Sequence, residues 1–234
     1  MNYSLEPLGD QAILIEFSQE VNEWIHEQVQ GVKGRIEEMG YDWAIEVVPA
    51  FASIAVHYDI RKLLTCQSPY DLVAKELSLL LDSKKTFTKK ASREINIPVF
   101  YGGKAGPDLD EVAAHNGISA EEVVELHTKA EYTVYMLGFA PGFPYVGGLN
   151  EKLATPRKSK PRLQIPPGSV GIAGQQTGVY PIETPGGWQL IGQTPEALFR
   201  PMNEEEPTLL QAGDKIRFYA ISEEEFYERQ ERNK

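Results

Sequence analysis

Leu-Gly-Phe-Ala-Pro-Gly-Phe-Pro-Tyr-Val-Gly-Gly-Leu (residues 137–149), Pro-Pro-Gly-Ser-Val-Gly-Ile-Ala-Gly (166–174) and Glu-Thr-Pro-Gly-Gly-Trp (183–188) decide how the chain is read. The span 138–192 holds 11 of the 20 glycines and 8 of the 16 prolines. A solvated linker is polar and low in complexity. Here the turn-formers alternate with Phe139, Phe143, Tyr145, Val170, Ile172, Tyr180, Trp188 and Leu190. Glycine opens positive φ and close backbone approach, while proline fixes φ at about −65° and removes a donor. The stretch therefore reads as rigid turns joining short apolar strands, the loops in which an all-β scaffold carries a site.

Working outward, Tyr132–Phe139, Leu163–Ile165, Ser169–Ala173, Tyr180–Glu183, Trp188–Gly192 and Lys215–Ala220 read as strands spaced as in a β-barrel or sandwich. Glu94–Val99 is a further strand, with Pro98 implying an edge or a bulge. Asp108–Asn116 is a short helix stopped by Gly117, and Ser119-Ala-Glu-Glu opens another through His127 as a capping box. Nearer the N-terminus, Ala12–Phe17, Ile45–Val48 and Ser53–Tyr58 read as strands. Val21, Trp24, Ile25, Val29, Val32, Ile36 and Met39 follow the helical period up to Gly40, and Pro69–Leu81 forms a second helix. The expectation is a small α+β domain over 1–85, a polar linker at 86–93, a β-barrel or sandwich domain over 94–222 and a charged tail helix at 223–234.

Bulk properties narrow the function. The 234 residues are 41% apolar and 24% charged, ordinary for a globular chain. No apolar run approaches the roughly 20 residues that span a bilayer. The first residues lack the pattern of a secretory signal, and the single Cys66 suits a reducing compartment, so a cytoplasmic location is expected. A net charge of −11 disfavours nucleic acid and anionic membranes as partners. Yet no acid lies between Lys152 and Ile182, where Lys152, Arg157, Lys158, Lys160 and Arg162 contribute five positive charges. Such a segment suits a small anionic ligand or, more plainly, a solvated loop.

Common catalytic signatures are missing. The chain has no phosphate-binding Gly-x-x-x-x-Gly-Lys-Ser/Thr loop, no dinucleotide fingerprint and no Gly-x-Ser-x-Gly elbow. Its four histidines lack metal-ligand spacing, so no metal site is expected. A constellation remains. His127 reads as a packed histidine or as an acid–base group at the end of its helix. Arg157 and Arg162 suit bidentate contact with an anion, with Lys158 beside them. Thr177, Tyr180, Glu183 and Thr184 cluster in the third loop, and the glycine loops, Gly174 among them, offer backbone N–H donors. Glu183 is the only acid from Lys152 to Pro195, a setting that invites a raised pKa and catalysis, or a hydrogen-bonding turn.

The run 131–149 resembles the allophanate hydrolase subunit 1 / KipI family. So do Ala-Thr-Pro-Arg (154–157), 167–174, Gln-Thr-Gly-Val-Tyr-Pro (176–181), 183–188, Pro-Leu-Gly-Asp-Gln-Ala (7–12) and Ile-Pro-Val-Phe-Tyr-Gly-Gly (97–103). The resemblance implies a cyclophilin-like β-barrel behind the N-terminal α+β domain. It implies the B component of an ATP-dependent 5-oxoprolinase, which opens 5-oxo-L-proline to glutamate with subunits A and C, the ATP being shared with a partner. On this reading Arg157, Glu183 and His127 are catalytic candidates, and Lys158, Arg162, Thr177, Tyr180, Thr184 and Gly174 bind substrate or anion. The family also includes inhibitors of a sporulation sensor histidine kinase, for which Phe139, Pro141, Phe143 and Tyr145 would form the partner surface. A third member type is half of a urea carboxylase-type carboxyltransferase, although this chain lacks a Met-Lys-Met biotin attachment site.

Overall fold

A computed structural model describes residues 2–18, 22–83 and 92–232. They fall into two compact units, Met1–Ala91 and Ser92–Lys234. Of the expected linker, 86–93, all but Ser92 and Arg93 lie outside the described residues, as does Val21.

The first unit runs β1 (Ser4–Pro7), β2 (Ala12–Glu16), α1 (Glu23–Met39), β3 (Ala44–Pro49), β4 (Ser53–Tyr58) and α2 (Pro69–Leu81). Its four strands form one antiparallel sheet in the order β1-β2-β4-β3. Alternation puts Ile13, Ile15, Ile54, Val56 and Tyr58 into a core with Val29, Val32, Ile36, Val73 and Leu77 of the helices. The α1 stripe is Ile25, Val29, Val32 and Ile36, at helical spacing. Trp24 and Met39, expected on that face, are instead 63% and 54% exposed. Asn22 caps α1 by accepting from Ile25 N–H, and Ser68 caps α2 with Pro69 in its first turn. β1 was not expected, because Ser-Leu-Glu-Pro carries little strand propensity and forms only by pairing with β2.

The second unit comprises β5 (Glu94–Tyr101), α3 (Leu109–Asn116), α4 (Ala120–Lys129), β6 (Tyr132–Leu137), β7 (Pro144–Gly147), β8 (Arg162–Ile165), β9 (Ser169–Ala173), β10 (Gln176–Val179), β11 (Thr184–Gly186), β12 (Gln189–Gln193), β13 (Lys215–Ala220) and α5 (Glu223–Arg232). Seven strands close into a barrel in the order β10-β7-β6-β13-β5-β12-β9. Only β13 against β5 is parallel. Ile97, Val99, Val134, Val146, Val170, Ile172, Ile191 and Ile216 belong to its core. β8 and β11 form a separate two-stranded arm.

Two expectations fail here. Tyr180–Glu183 is a connection and not a strand, since the Tyr180 backbone bonds to Ser169 and Gly168 and Pro181 has no N–H to give. β7 hides within the Gly/Pro run, where Pro144 and Gly147 read locally as turn. Pro98 lies within a closed barrel, and β12 pairs with β5 only at Phe100 and Tyr101.

α3 is docked on β12 at very short range. Gly102 N–H donates to Ile191 O and Asp108 N–H to Leu190 O. A Cβ on Gly106 would lie 2.0 Å from Ile191 O. Gly106→Ala should therefore push α3 off the barrel and cost roughly 1–3 kcal/mol. Thermal unfolding should show a Tm several degrees lower, and an unchanged Tm would contradict this docking.

Candidate functional site

The basic segment is held from within by an acid far away in sequence. Asp108 opens α3, yet its carboxylate makes no capping bond to the helix. One oxygen accepts from Arg162 Nη2 at 2.7 Å and Lys158 Nζ at 2.9 Å; the other accepts from Leu190 N–H at 2.7 Å. Lys158 also reaches Glu111 at 2.7 Å. Burial by itself would raise the Asp108 carboxyl, but the bonds from Arg162, Leu190 N–H and Lys158 outweigh it and hold the group below its ordinary value. Lys158, expected as an anion ligand, is thus an internal counter-ion. Arg162 is only half committed: its Nη1 is buried with no partner. Arg157 is exposed and has no hydrogen bond or ion pair among the described residues.

Beside this network lies an aromatic cluster of Phe143, Tyr180 and Trp188, closed by Ile165, Ala173 and Leu190. Phe143 meets Tyr180, Trp188 and Tyr145 edge-on, at centroid distances of 5.4, 5.6 and 5.2 Å. Such geometry sets positive ring edges against negative faces. Phe143 is therefore core and not partner surface. Phe139 is the opposite case: it is 66% exposed and edge-on to Phe143 at 5.5 Å. Ala140 N–H bonds back to Gly138 O, closing a γ-turn in which Phe139 has φ 68°. That is the strained hand of the turn, held against a cost of order 1–3 kcal/mol. Pro141 is exposed in the same turn, and Tyr145 is half-buried.

His127 is sealed in the barrel core. Its ring lies 4.6 Å from that of Phe218 and 5.3 Å from that of Tyr132. Thr177 donates to Gly171 O at 3.0 Å, so it accepts from His127 Nε2–H at 3.0 Å, leaving Nδ1 to accept from Tyr101 O–H at 2.8 Å. Burial pushes His127 down to about 3 and Tyr101 well above its ordinary value. The pair expected to act as acid–base group and anion ligand, His127 and Thr177, is a satisfied core network without access to substrate. Glu183 is exposed and accepts from Gln164 at 3.3 Å, so the apolar enclosure that its catalytic reading needs is absent. Thr184 donates to its neighbour Pro185 O. Gly174 turns the β9–β10 hairpin with φ 59° and exchanges backbone bonds with Thr155.

Comparison with known proteins agrees with this architecture. A family model described as carboxyltransferase domain, subdomain C and D, matches residues 3–210. The chain belongs to this family. It is 50% identical over 232 residues to a Bacillus subtilis protein named as the B component of 5-oxoprolinase, covering 97% of this chain and 96% of the relative. An Escherichia coli O157:H7 protein of the same name is 43% identical, over 90% of this chain and 93% of its own. The crystal structure of a conserved uncharacterized protein from Pyrococcus horikoshii superimposes with a TM-score of 0.55 at 43% identity, covering 95% of this chain and all of that one.

Within this carboxyltransferase-domain chain, sequence reasoning missed Asp108, Glu111 and Tyr101. Asp108 stands 50 and 54 positions from its cations, a separation that no local pattern reports. Among the described residues no helix is long and apolar enough to cross a membrane. The His127 network carries a pH signature. From about pH 6.5 down to about 3 the unfolded chain binds a proton that the folded core refuses. Stability is therefore full above about 6.5 and falls below it by up to about 1.4 kcal/mol per pH unit. Urea unfolding between pH 7 and 5 should show this loss, and His127→Phe should flatten it. An equally steep slope in the variant would contradict the assignment.

Proposed function

We propose that this chain is the B component of an ATP-dependent 5-oxoprolinase and acts together with subunits A and C. The observation that carries the reading is the near full-length match, at 50% identity, to a protein of that name. Opening the lactam of 5-oxo-L-proline to glutamate requires activation of an unreactive amide carbonyl, and ATP hydrolysis supplies the drive. Carboxylate, phosphate and the developing oxyanion are all negative, and preorganised cations stabilise such charge best. Arg157 suits that role, being exposed and free of internal partners among the described residues. His127 and Lys158 are committed to the fold and do not enter the mechanism. With no nucleotide motif in the sequence, the ATP site is shared with a partner component, and the protein works in the cytoplasm.

A second reading, inhibition of a sensor histidine kinase, draws on the strained and exposed Phe139 as an anchor for a protein partner. It is compatible with the first. The carboxyltransferase-half reading draws on the family description and on similarity, at 28% identity over 66% of this chain, to an Emericella nidulans protein named a putative urea carboxylase, and it would need a biotin-bearing partner.

Mixed with subunits A and C, the purified chain should release glutamate from 5-oxoproline and ATP. Absence of activity in every combination would refute the proposal. Arg157→Ala should lower the rate by about 10²-fold if the guanidinium faces developing charge. An unchanged rate would remove Arg157 from the chemistry.

A further inference from the structure

We infer that Gln189 is a positioning residue for Arg157, its buried amide gripping the residues on either side of that arginine. Gln189 opens β12 and is 3% exposed. A polar side chain so enclosed is costly unless its hydrogen bonds are made. They are made to the Arg157 segment. Nε2 donates to Pro156 O at 3.1 Å and, more loosely, to Glu111 Oε1 at 3.4 Å, while Oε1 accepts from Lys158 Nζ at 3.4 Å. The reverse orientation of the amide would set its oxygen against a carbonyl and a carboxylate and its NH2 against an ammonium. The neighbours therefore fix which way it points.

Further bonds complete the grip. Thr155 exchanges backbone bonds with Gly174 at 3.2 and 2.7 Å, and its hydroxyl accepts from Asn116 Nδ2 at 3.0 Å. Pro156 fixes its own φ and disfavours helical backbone at Thr155. Past the arginine, Lys158 N–H donates to Gly187 O at 2.7 Å, and its Nζ is held by Asp108 and Glu111. The chain is thus pinned at 155, 156 and 158. Arg157, between them, is exposed and has no hydrogen bond or ion pair among the described residues.

A pinned base under an uncommitted guanidinium is the arrangement that preorganisation requires. Ordering a main chain costs free energy, and here that cost is met in folding, before any ligand arrives. A cation already in place can then meet developing charge without reorganising. That Arg157 meets such charge rests on the oxoprolinase reading; the grip of Gln189 on its segment does not.

In the complex with subunits A and C, Gln189→Met keeps the side-chain length and removes the amide. It should lower kcat for glutamate release about tenfold and leave KM unchanged. In an Arg157→Ala background it should add no further loss, because its effect passes through the guanidinium. Equal losses in both backgrounds, an unchanged kcat, or a change confined to KM would overturn the positioning role. NMR relaxation of the free chain reads the same grip without catalysis. The Arg157 backbone order parameter should be about 0.85 and should fall below about 0.6 in Gln189→Met. A mobile Arg157 in the wild-type chain, or unchanged order in the variant, would also overturn it. Gln189→Glu keeps the acceptor for Lys158 and loses the donor to Pro156; it should reproduce both effects and serves where the methionine variant does not fold. If the complex is inactive while the order parameters behave as stated, the oxoprolinase reading fails and the grip stands. If Arg157→Ala slows an active complex while Gln189→Met leaves kcat unchanged, the reading stands and the positioning role fails.

Discussion

A single buried carboxylate organises the second unit. Asp108 receives a guanidinium, an ammonium and a backbone N–H, and these donors come from two segments, one carrying Lys158 and Arg162 and one carrying Leu190, that sequence separates widely from it. Placing a charge in a low-dielectric interior is costly unless it is paired and hydrogen-bonded. Once Asp108 is buried at the start of α3, the segment carrying Lys158 and Arg162 must come to it, and β12 must present Leu190. The Gly/Pro loops then have fixed ends. Their rigidity, visible in composition, turns a docked end into a docked loop.

This division of labour separates structural from available charge. The segment from Lys152 to Ile182 carries five positive charges and no acid, which invites the idea of a broad anion patch. Lys158 and Arg162 sit on Asp108 instead, with side chains only 22% and 28% exposed. What remains is narrower: one free guanidinium at Arg157 and one unused arm of Arg162. A site with little spare charge discriminates among anions better than a diffuse basic surface, because desolvation is offset only by a ligand of matching charge.

Much of the fold was legible because its signals are local. Ser68 and Pro69 fix the start of α2, Ser119 fixes that of α4 by accepting from Glu122 N–H, and the apolar run Ser169–Ala173 is a strand as read. Elements stabilised by pairing across long separations were not legible. β1 and β7 contain prolines and weak strand formers, and they form because β2 and β6 offer edges. The site follows the same rule. Residue type singled out Phe143, Thr177, Tyr180 and His127 as candidates, but only packing shows that they are interior. Gly106 and Gly186 are close-approach positions that leave no room for a methyl group.

If the bond between Asp108 and Arg162 sets the geometry of the site, the two residues must be energetically coupled. A double-mutant cycle on unfolding free energy, using Asp108→Ala, Arg162→Ala and the double variant, measures that coupling directly. The predicted interaction is about 1.5 kcal/mol or more, as expected for contacting members of a buried charged network. Additivity to within about 0.5 kcal/mol would contradict it.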